Sequence, residues 1–580
     1  MILQALYEYY QRKAADPESD IATEGFEKKE IKYIIKIRED GSFNDLIDTR
    51  ENKIGHFYIL PKSVGRSGSN SWQTAFLLWD HYGYVLAFPR DDTIKAIDMA
   101  KKQNEAFINR IRNLPGEVRV DKGINAILNF YNKNQQEKVI KHPLWKECSS
   151  IPGCNLTFQL ESDQCLVSER ELLANFISNS ISQTNQEEAN KPPIEGYCLI
   201  TGKKGVIKRT HTATPIPGSK SNAKILAFQK NSGYDSYGKE QAYNAPVSLQ
   251  AEAAYSTALK TLLDKNSQNK LLINDITTVF WAEKKPAMYD LEENFKWLID
   301  DSPKDDPDKG ARAVKGLFDS VLSGKRTIDE GNRFYVLGLS PNSARISVRF
   351  WKVGKVSDFE DNIKQHFNDF EIVRGPQEPD YLPLSKILRA TALEYKIDNV
   401  PPNLAGKVIE SMLDGTPYPD SLLNLDMNRI RAERVVTRTR AAILKAYFNR
   451  YNRFYNKNEK EVLMSLDKVK NDIGYRLGRL FAVIEKIDEE GGAGTVRERF
   501  YGAASTSPGT VFSRLLTLKN HHLAKLDNVG RRVNFEKEIC EICDEIQDFP
   551  SHLIMKEQAQ FAIGYYHQRQ DYFKPKSDNK

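Results

Sequence analysis

Two regimes of hydrophobic spacing divide this chain. Before about residue 360, short runs of alternating or β-branched apolar residues recur at 31–37, 56–60, 84–88, 277–281, 334–339 and 344–351, and each predicts a strand. Between them, apolar residues at every third or fourth position predict helices over 93–113, 168–182 and 249–263, the second opened by Ser168 and Glu171 as a capping box. From about Leu382 only helical spacing remains, over 384–395, 404–414, 428–455, 459–488, 495–503, 510–529, 536–548 and 552–572. The pattern predicts an α+β protein: a mixed α/β region over 1–375 with helical insertions, then an α-helical bundle over 376–580.

Punctuation agrees with that division. Gly375-Pro376 and Pro379 precede the all-helical part, Gly491-Gly492-Ala493-Gly494 interrupts it, and the polar stretch 183–193 reads as a connector. No short repeat period runs through the chain, which disfavours a solenoid. No stretch of about 18 apolar residues occurs, so no membrane span is expected. Residues 1–16 mix Leu3, Leu6, Tyr7 and Tyr10 with polar side chains, unlike the unbroken apolar core of a secretory signal, and a cytoplasmic protein is expected.

Composition narrows the class without naming a function. At 580 residues the chain exceeds what one core usually supports, and its 40% hydrophobic and 28% charged residues describe a globular protein rather than a disordered one. A net charge of +6 means little if spread evenly, so the clustering of the cations matters more than their sum. Six cysteines at this length suit a reducing compartment better than a disulfide scaffold; Cys540-x-x-Cys543 has no second pair, and no metal or cofactor is expected.

One cluster stands out. From Gly196 to Tyr234 the chain runs 39 residues without Asp or Glu while placing Lys203, Lys204, Lys208, Arg209, Lys220, Lys224 and Lys230. Within it, Gly218-Ser219-Lys220-Ser221-Asn222-Ala223-Lys224 offers hydroxyl, amide and ammonium donors of the kind that phosphates and base edges accept. A second polar, glycine-bearing loop supplies Lys62, Arg66, Ser67, Gly68, Ser69, Asn70 and Gln73 between two apolar segments. In a third segment Arg431, Arg434, Arg438 and Lys445 would share one face of the helix expected over 428–455, followed by Tyr447, Phe448, Tyr451, Phe454 and Tyr455 as stacking groups.

Catalytic signatures are missing. The glycine-lysine segments do not match the phosphate-loop order of two glycines four residues apart followed by Lys-Ser or Lys-Thr. Asp80-His81 is the one adjacent Asp-His pair, and Asp80 is expected to turn the chain after Phe76-Leu77-Leu78-Trp79. A metal-dependent nuclease would need a carboxylate cluster, for which Asp358, Glu360, Asp361, Asp369 and Glu371 are the nearest approach.

An ordered set of segments resembles the large subunit of the type I-C CRISPR Cascade effector, the Csd family. It comprises the opening residues 1–10, Leu78-Trp79-Asp80 with Tyr84-Val85-Leu86, Cys198-Leu-Ile-Thr-Gly202, Ser236-Tyr-Gly-Lys-Glu-Gln241 with Asn244-Ala-Pro-Val-Ser248, Val279-Phe-Trp-Ala-Glu283, and Gly338-Leu-Ser-Pro-Asn342 with Ala344-Arg345. The resemblance implies a non-enzymatic subunit that recognises the protospacer-adjacent motif in double-stranded target DNA, helps to open the duplex and holds the displaced strand. It implies as partners the crRNA-containing Cascade backbone and handle-binding subunits, small subunits and the CRISPR helicase-nuclease. Family members probe duplex DNA with small polar loops, for which Ser67 to Gln73, Gly218 to Lys224 and Asn244 are the matching positions. This chain departs from the family pattern at Val64-Gly-Arg-Ser-Gly68, where relatives carry Lys-Arg-Thr-Ser-Gly. The resemblance also implies a small subunit made from an internal start, for which Met464 would give 117 residues, with Met412 and Met427 as alternatives. A scaffold without DNA contact is the other reading.

Overall fold

A computed structural model describes residues 1–573 apart from 17–18, 20, 64–65, 67–68, 181–193, 230–232, 234–237, 286–288, 323–330 and 493. The expected connector at 183–193 lies outside the described residues. The chain forms two compact units, Met1–Thr212 with Ala227–Thr261, and Ala213–Leu226 with Leu262–Lys580. An α+β architecture is present: sheets and helices mix in the first part, and helices alone follow residue 355. Among the described residues no helix is long and apolar enough to cross a membrane.

The first unit contains β1 (Phe26–Ile31), β2 (Tyr33–Ile37), β3 (Phe43–Asp48), β4 (His56–Pro61), β5 (Trp79–His81), β6 (Asn155–Leu160), β7 (Glu195–Tyr197) and β8 (Lys204–Val206). A four-stranded sheet runs β3-β2-β6-β5, β1 pairs with β4, and β7 pairs with β8. The period-two rule explains why β2 is apolar almost throughout. Tyr33, Ile35 and Ile37 face a core that includes Phe107, Ile127, Phe130 and Phe158, while Ile34 joins Ile31, Leu60 and Trp79 on the other face.

Two local expectations change here. Residues 84–88 are not a strand: a short helix, Tyr82–Leu86, starts where the His81 ring nitrogen accepts the Gly83 N–H and stops at Ala87, whose φ is 56°. An apolar run this short and buried fits either state, and the cap decides. The helix Glu171–Ser180 is preceded by a turn at Val167–Glu169 in which the Glu169 carboxylate accepts the Leu166 N–H at 2.8 Å and the Glu169 N–H donates to the Leu166 carbonyl at 3.0 Å, so the glutamate cap lies two residues earlier than Ser168 and Glu171 and has no side-chain partner at its start.

The second unit is built on β9 (Lys270–Ile273), β10 (Ile276–Ala282), β11 (Arg333–Asn342) and β12 (Arg345–Lys355), an antiparallel sheet in the order β12-β11-β10-β9. At Gly338, where the β11–β12 register shifts, an added Cβ would meet the Phe350 ring at 2.3 Å, which explains the glycine in that motif. Phe280, Phe334, Val336 and Phe350 from this sheet share one continuous core with Phe359, Ile363 and the C-terminal helices as far as Tyr566. The glycine-proline punctuation at 375–379 therefore follows a helix end, Val356–Phe370, inside one core, and the division of the chain falls elsewhere.

Tertiary hydrogen bonds also shorten two expected helices. The 428–455 pattern splits into Asp420–Glu433 and Arg438–Phe454, with Arg434 at φ 54° and Thr437 capping the second. The 459–488 pattern is helical only as Ile473–Glu490, because the buried Asn449 amide takes both the Val462 N–H and its carbonyl at 2.8 Å. Ile473–Glu490 packs on every later helix, and most closely on Met555–Asp571, where Gly474, Gly478 and Gly564 let the two backbones touch.

Asp426, on Asp420–Glu433, is fully buried, and neither carboxylate oxygen has a hydrogen-bond partner. Burial holds its carboxyl well above the usual carboxylate range, against the opposing charge of Arg440. A raised folded-state value means that the folded chain holds a proton that the unfolded chain releases above about pH 4, so stability falls by up to about 1.4 kcal/mol per pH unit as pH rises. Asp426→Asn is expected to flatten that fall, with an unfolding midpoint that drops less than the wild type's between pH 5 and pH 8. Parallel curves for the two proteins would contradict a proton on Asp426.

Candidate nucleic-acid interface

The Ala213–Leu226 segment, at the centre of the acid-free run, is an ordered lobe of the second unit. Thr214 donates its N–H to the Ala223 carbonyl at 2.8 Å and closes it. Ser219 is used inside the turn: its hydroxyl donates to the Ile216 carbonyl at 2.8 Å and accepts the Ile216 N–H at 2.9 Å. Gly218 has a φ of 80°, and a Cβ there would come within 3.2 Å of Pro341, so glycine is required by conformation and by space. Gly218, Lys220, Ser221 and Asn222 are exposed, and Lys224 is half-buried. The lobe is fastened to the tip of the β11–β12 hairpin, where Lys220 donates its N–H to the Ser343 carbonyl at 3.0 Å and Ile346 to the Lys224 carbonyl at 3.2 Å.

In the first unit, neighbours supply the acids that the run itself lacks. Lys203 and Lys204 stand exposed on the β7–β8 hairpin, but Lys204 lies 3.0 Å from Glu195. Arg209 donates to the Gln241 side chain at 3.0 Å and lies 3.8 Å from Glu240. Lys208 is half-buried and its N–H bonds the Val247 carbonyl. Asn244 ends the turn Gln241–Asn244, and its amide donates to the Lys239 and Gln241 carbonyls at 3.0 and 2.9 Å. Both amide hydrogens are thus committed to its own turn, so in this conformation the residue offers a base edge at most its carbonyl oxygen.

The loop between β4 and β5 is closed by a clasp. Both terminal nitrogens of Arg66 donate to the fully buried Asp80 carboxylate, its Nε donates to the Thr74 carbonyl at 2.6 Å, and its guanidinium lies 3.8 and 4.0 Å from the Phe76 and Tyr84 ring centres. Asp80 also accepts the Phe76 and His81 N–H groups at 2.9 Å. Arg66, expected to attract phosphate, is instead spent within the fold because a buried carboxylate needs it. Lys62 is half-buried, Ser69, Asn70 and Gln73 are exposed beyond the clasp, and Ser67 and Gly68 lie outside the described residues.

The helical cations do not form the expected stripe. Arg431 and Arg434 end one helix while Arg438 and Lys445 belong to the next, so the four share no face. Arg431 donates to the Gln558 side chain at 2.7 Å, and Arg434 to the Glu498 carbonyl. Arg438 and Lys445 are buried, donating to the carbonyls of Pro379 and Asp380 and of Asn368 and Asp369, respectively. Burial pushes the Lys445 ammonium below the usual lysine range. Composition misleads here because long cations also serve as donors to orphan carbonyls in a large helical core. Of the aromatics, Tyr451, Phe454 and Tyr455 are exposed.

Among the described residues no group of three or more His, Cys, Asp and Glu side chains is placed to hold a metal ion. Of the five acids weighed for a nuclease, Glu360 and Asp369 are buried, and Asp369 is held by Arg450 and Arg453. No curated protein matches the chain. The model of a CRISPR-associated protein family, Cas_Csd1, matches residues 6–573. With that match over nearly its whole length, the chain belongs to the Cas_Csd1 family of CRISPR-associated proteins, and so to the subunits of Cascade-type effector complexes.

Proposed function

We propose that this chain is the non-catalytic large subunit of a type I-C Cascade complex, which recognises the protospacer-adjacent motif, promotes duplex opening and R-loop formation, stabilises the displaced strand and helps to recruit the helicase-nuclease. The exposed lobe at Gly218–Lys224 carries the reading: it holds no acid, presents Lys220, Ser221 and Asn222 together, and is anchored by backbone bonds rather than left to move. In RNA-guided recognition, base pairing with the guide reads the sequence, and the protein needs only a small surface for the adjacent motif and the backbone. Lys203 and the Ser69–Asn70–Gln73 group are further candidates on the first unit. Its partners are then the crRNA-containing backbone and handle-binding subunits, small subunits and the helicase-nuclease, in a prokaryotic cytoplasm. A separately made small subunit from Met464 is favoured by one observation: Met464 is exposed in the chain that precedes Ile473–Glu490, on which all later helices pack.

Salt separates this reading from a scaffold. Full-length chain with Lys220→Ala and Lys224→Ala, titrated with labelled duplex by fluorescence anisotropy, is expected to bind every sequence more weakly and to lose about 1.8 from the slope of log affinity against log salt, two contacts at about 0.9 each. A wild-type slope near zero would favour the scaffold.

A further inference from the structure

The motif ending in Asn342 with Ala344-Arg345 has no part in the reading above, yet its place in the fold gives it one. Residues 333–355 carry Arg333, Arg345, Arg349, Lys352 and Lys355 and, like the 196–234 run, no Asp or Glu. Within the second unit the fold brings the Ala213–Leu226 part of that run edge to edge with the hairpin. Ser343, at φ 55° in the two-residue connection between the paired Asn342 and Arg345, accepts the Lys220 N–H, and Lys224 is bridged to Arg345. Two of the other four cations on the hairpin are spent: Arg349 bonds the Ser340 hydroxyl at 3.1 Å and lies 3.9 Å from Asp275, and Lys352 pairs with Glu410 and Asp414 at 3.0 and 2.7 Å, while Arg333 and Lys355 are exposed at the end of the hairpin away from the tip. Arg345 is exposed at the tip, as are Asn342 and Ser343, and among the described residues no acid pairs with it. An exposed guanidinium opposite Asn342 in the strand register, two residues from the Ser343 carbonyl that holds Lys220, presents donors of the kind that backbone phosphates accept.

We propose that the hairpin tip and the lobe form one phosphate-binding surface for the target duplex, in which Arg345 contacts the DNA backbone alongside Lys220. The inference rests on the DNA-binding reading above, and the test keeps the two apart. Full-length wild type, Arg345→Ala, Arg345→Lys and Lys220→Ala are titrated with two duplexes of different sequence over a range of salt, after their unfolding midpoints are compared. Arg345→Ala is expected to weaken binding about 8-fold near 0.1 M salt on both duplexes and to lower the salt slope by about 0.9, while Arg345→Lys keeps the slope. If Lys220→Ala lowers the slope and Arg345→Ala does not, the composite surface is overturned and the DNA reading stands. A loss confined to one sequence would overturn the phosphate assignment in favour of base contact. Wild-type binding without a salt slope would overturn both.

Discussion

Replacing Arg66 with alanine is expected to cost the first unit about 3–5 kcal/mol, as removal of one member of a buried ion pair does. The loss is not that of a surface salt bridge, usually about 0–1 kcal/mol, because Asp80 is fully buried and its charge would keep only the Phe76 and His81 N–H groups as donors. The Phe76 and Tyr84 rings would lose the guanidinium between them as well. Denaturant unfolding of the variant measures the loss, and Arg66→Ala combined with Asp80→Asn is expected to recover much of it by removing the stranded charge. A loss below about 1 kcal/mol would show that solvent reaches Asp80. Since the clasp closes the loop that carries Ser69, Asn70 and Gln73, the same variant is expected to weaken any DNA contact those residues make.

The second large effect concerns Gly478. A Cβ there would lie 2.0 Å from the Phe561 carbonyl oxygen, and neither helix backbone can yield as a flexible side chain would. Gly474 and Gly564 are equally tight, at 2.1 Å from the Glu557 carbonyl and 2.2 Å from the Tyr475 carbonyl. Alanine normally gains about 1 kcal/mol over glycine inside a helix, but forcing these helices apart opens the core around them, and a net loss of about 3 kcal/mol is expected for Gly478→Ala. Gly502→Ala supplies the contrast: it too lies within a helix, Val496–Thr506, nothing stands within 4 Å of the added Cβ, and a gain of about 0.5–1 kcal/mol is expected. Equal midpoints for the two variants would contradict the close crossing.

What the sequence disclosed follows from where local physics ruled. Short apolar and β-branched runs such as 277–281 and 334–339 became β10 and β11 because both faces of these strands are buried, and an unbroken run of this length records that directly. Residues 84–88 misled because five apolar residues, three of them buried, satisfy either period, and the His81 cap that decides lies outside the run. The fate of cations was the least legible part. Arg438, Lys445 and Arg66 look in sequence like phosphate ligands, and only the fold shows the carbonyls and the carboxylate that hold them. Conversely, Arg345 lies outside the three cationic segments singled out by composition, and the signal that marks it is the absence of acids over 333–355 together with the backbone bonds that join its hairpin tip to Lys220 and Lys224. Glycine crossings such as Gly474-x-x-x-Gly478 were present in the sequence as a spacing, but their partner Gly564 lies far along the chain.

The most direct test of the account is binding of the guide-loaded complex, assembled with and without this chain, to duplex targets in which the bases beside the protospacer are randomised. A preferred adjacent motif is expected to be enriched among the bound targets only when the chain is present, and binding without it is expected to lose that preference. The same enrichment in both assemblies would contradict this expectation and leave the chain a scaffold.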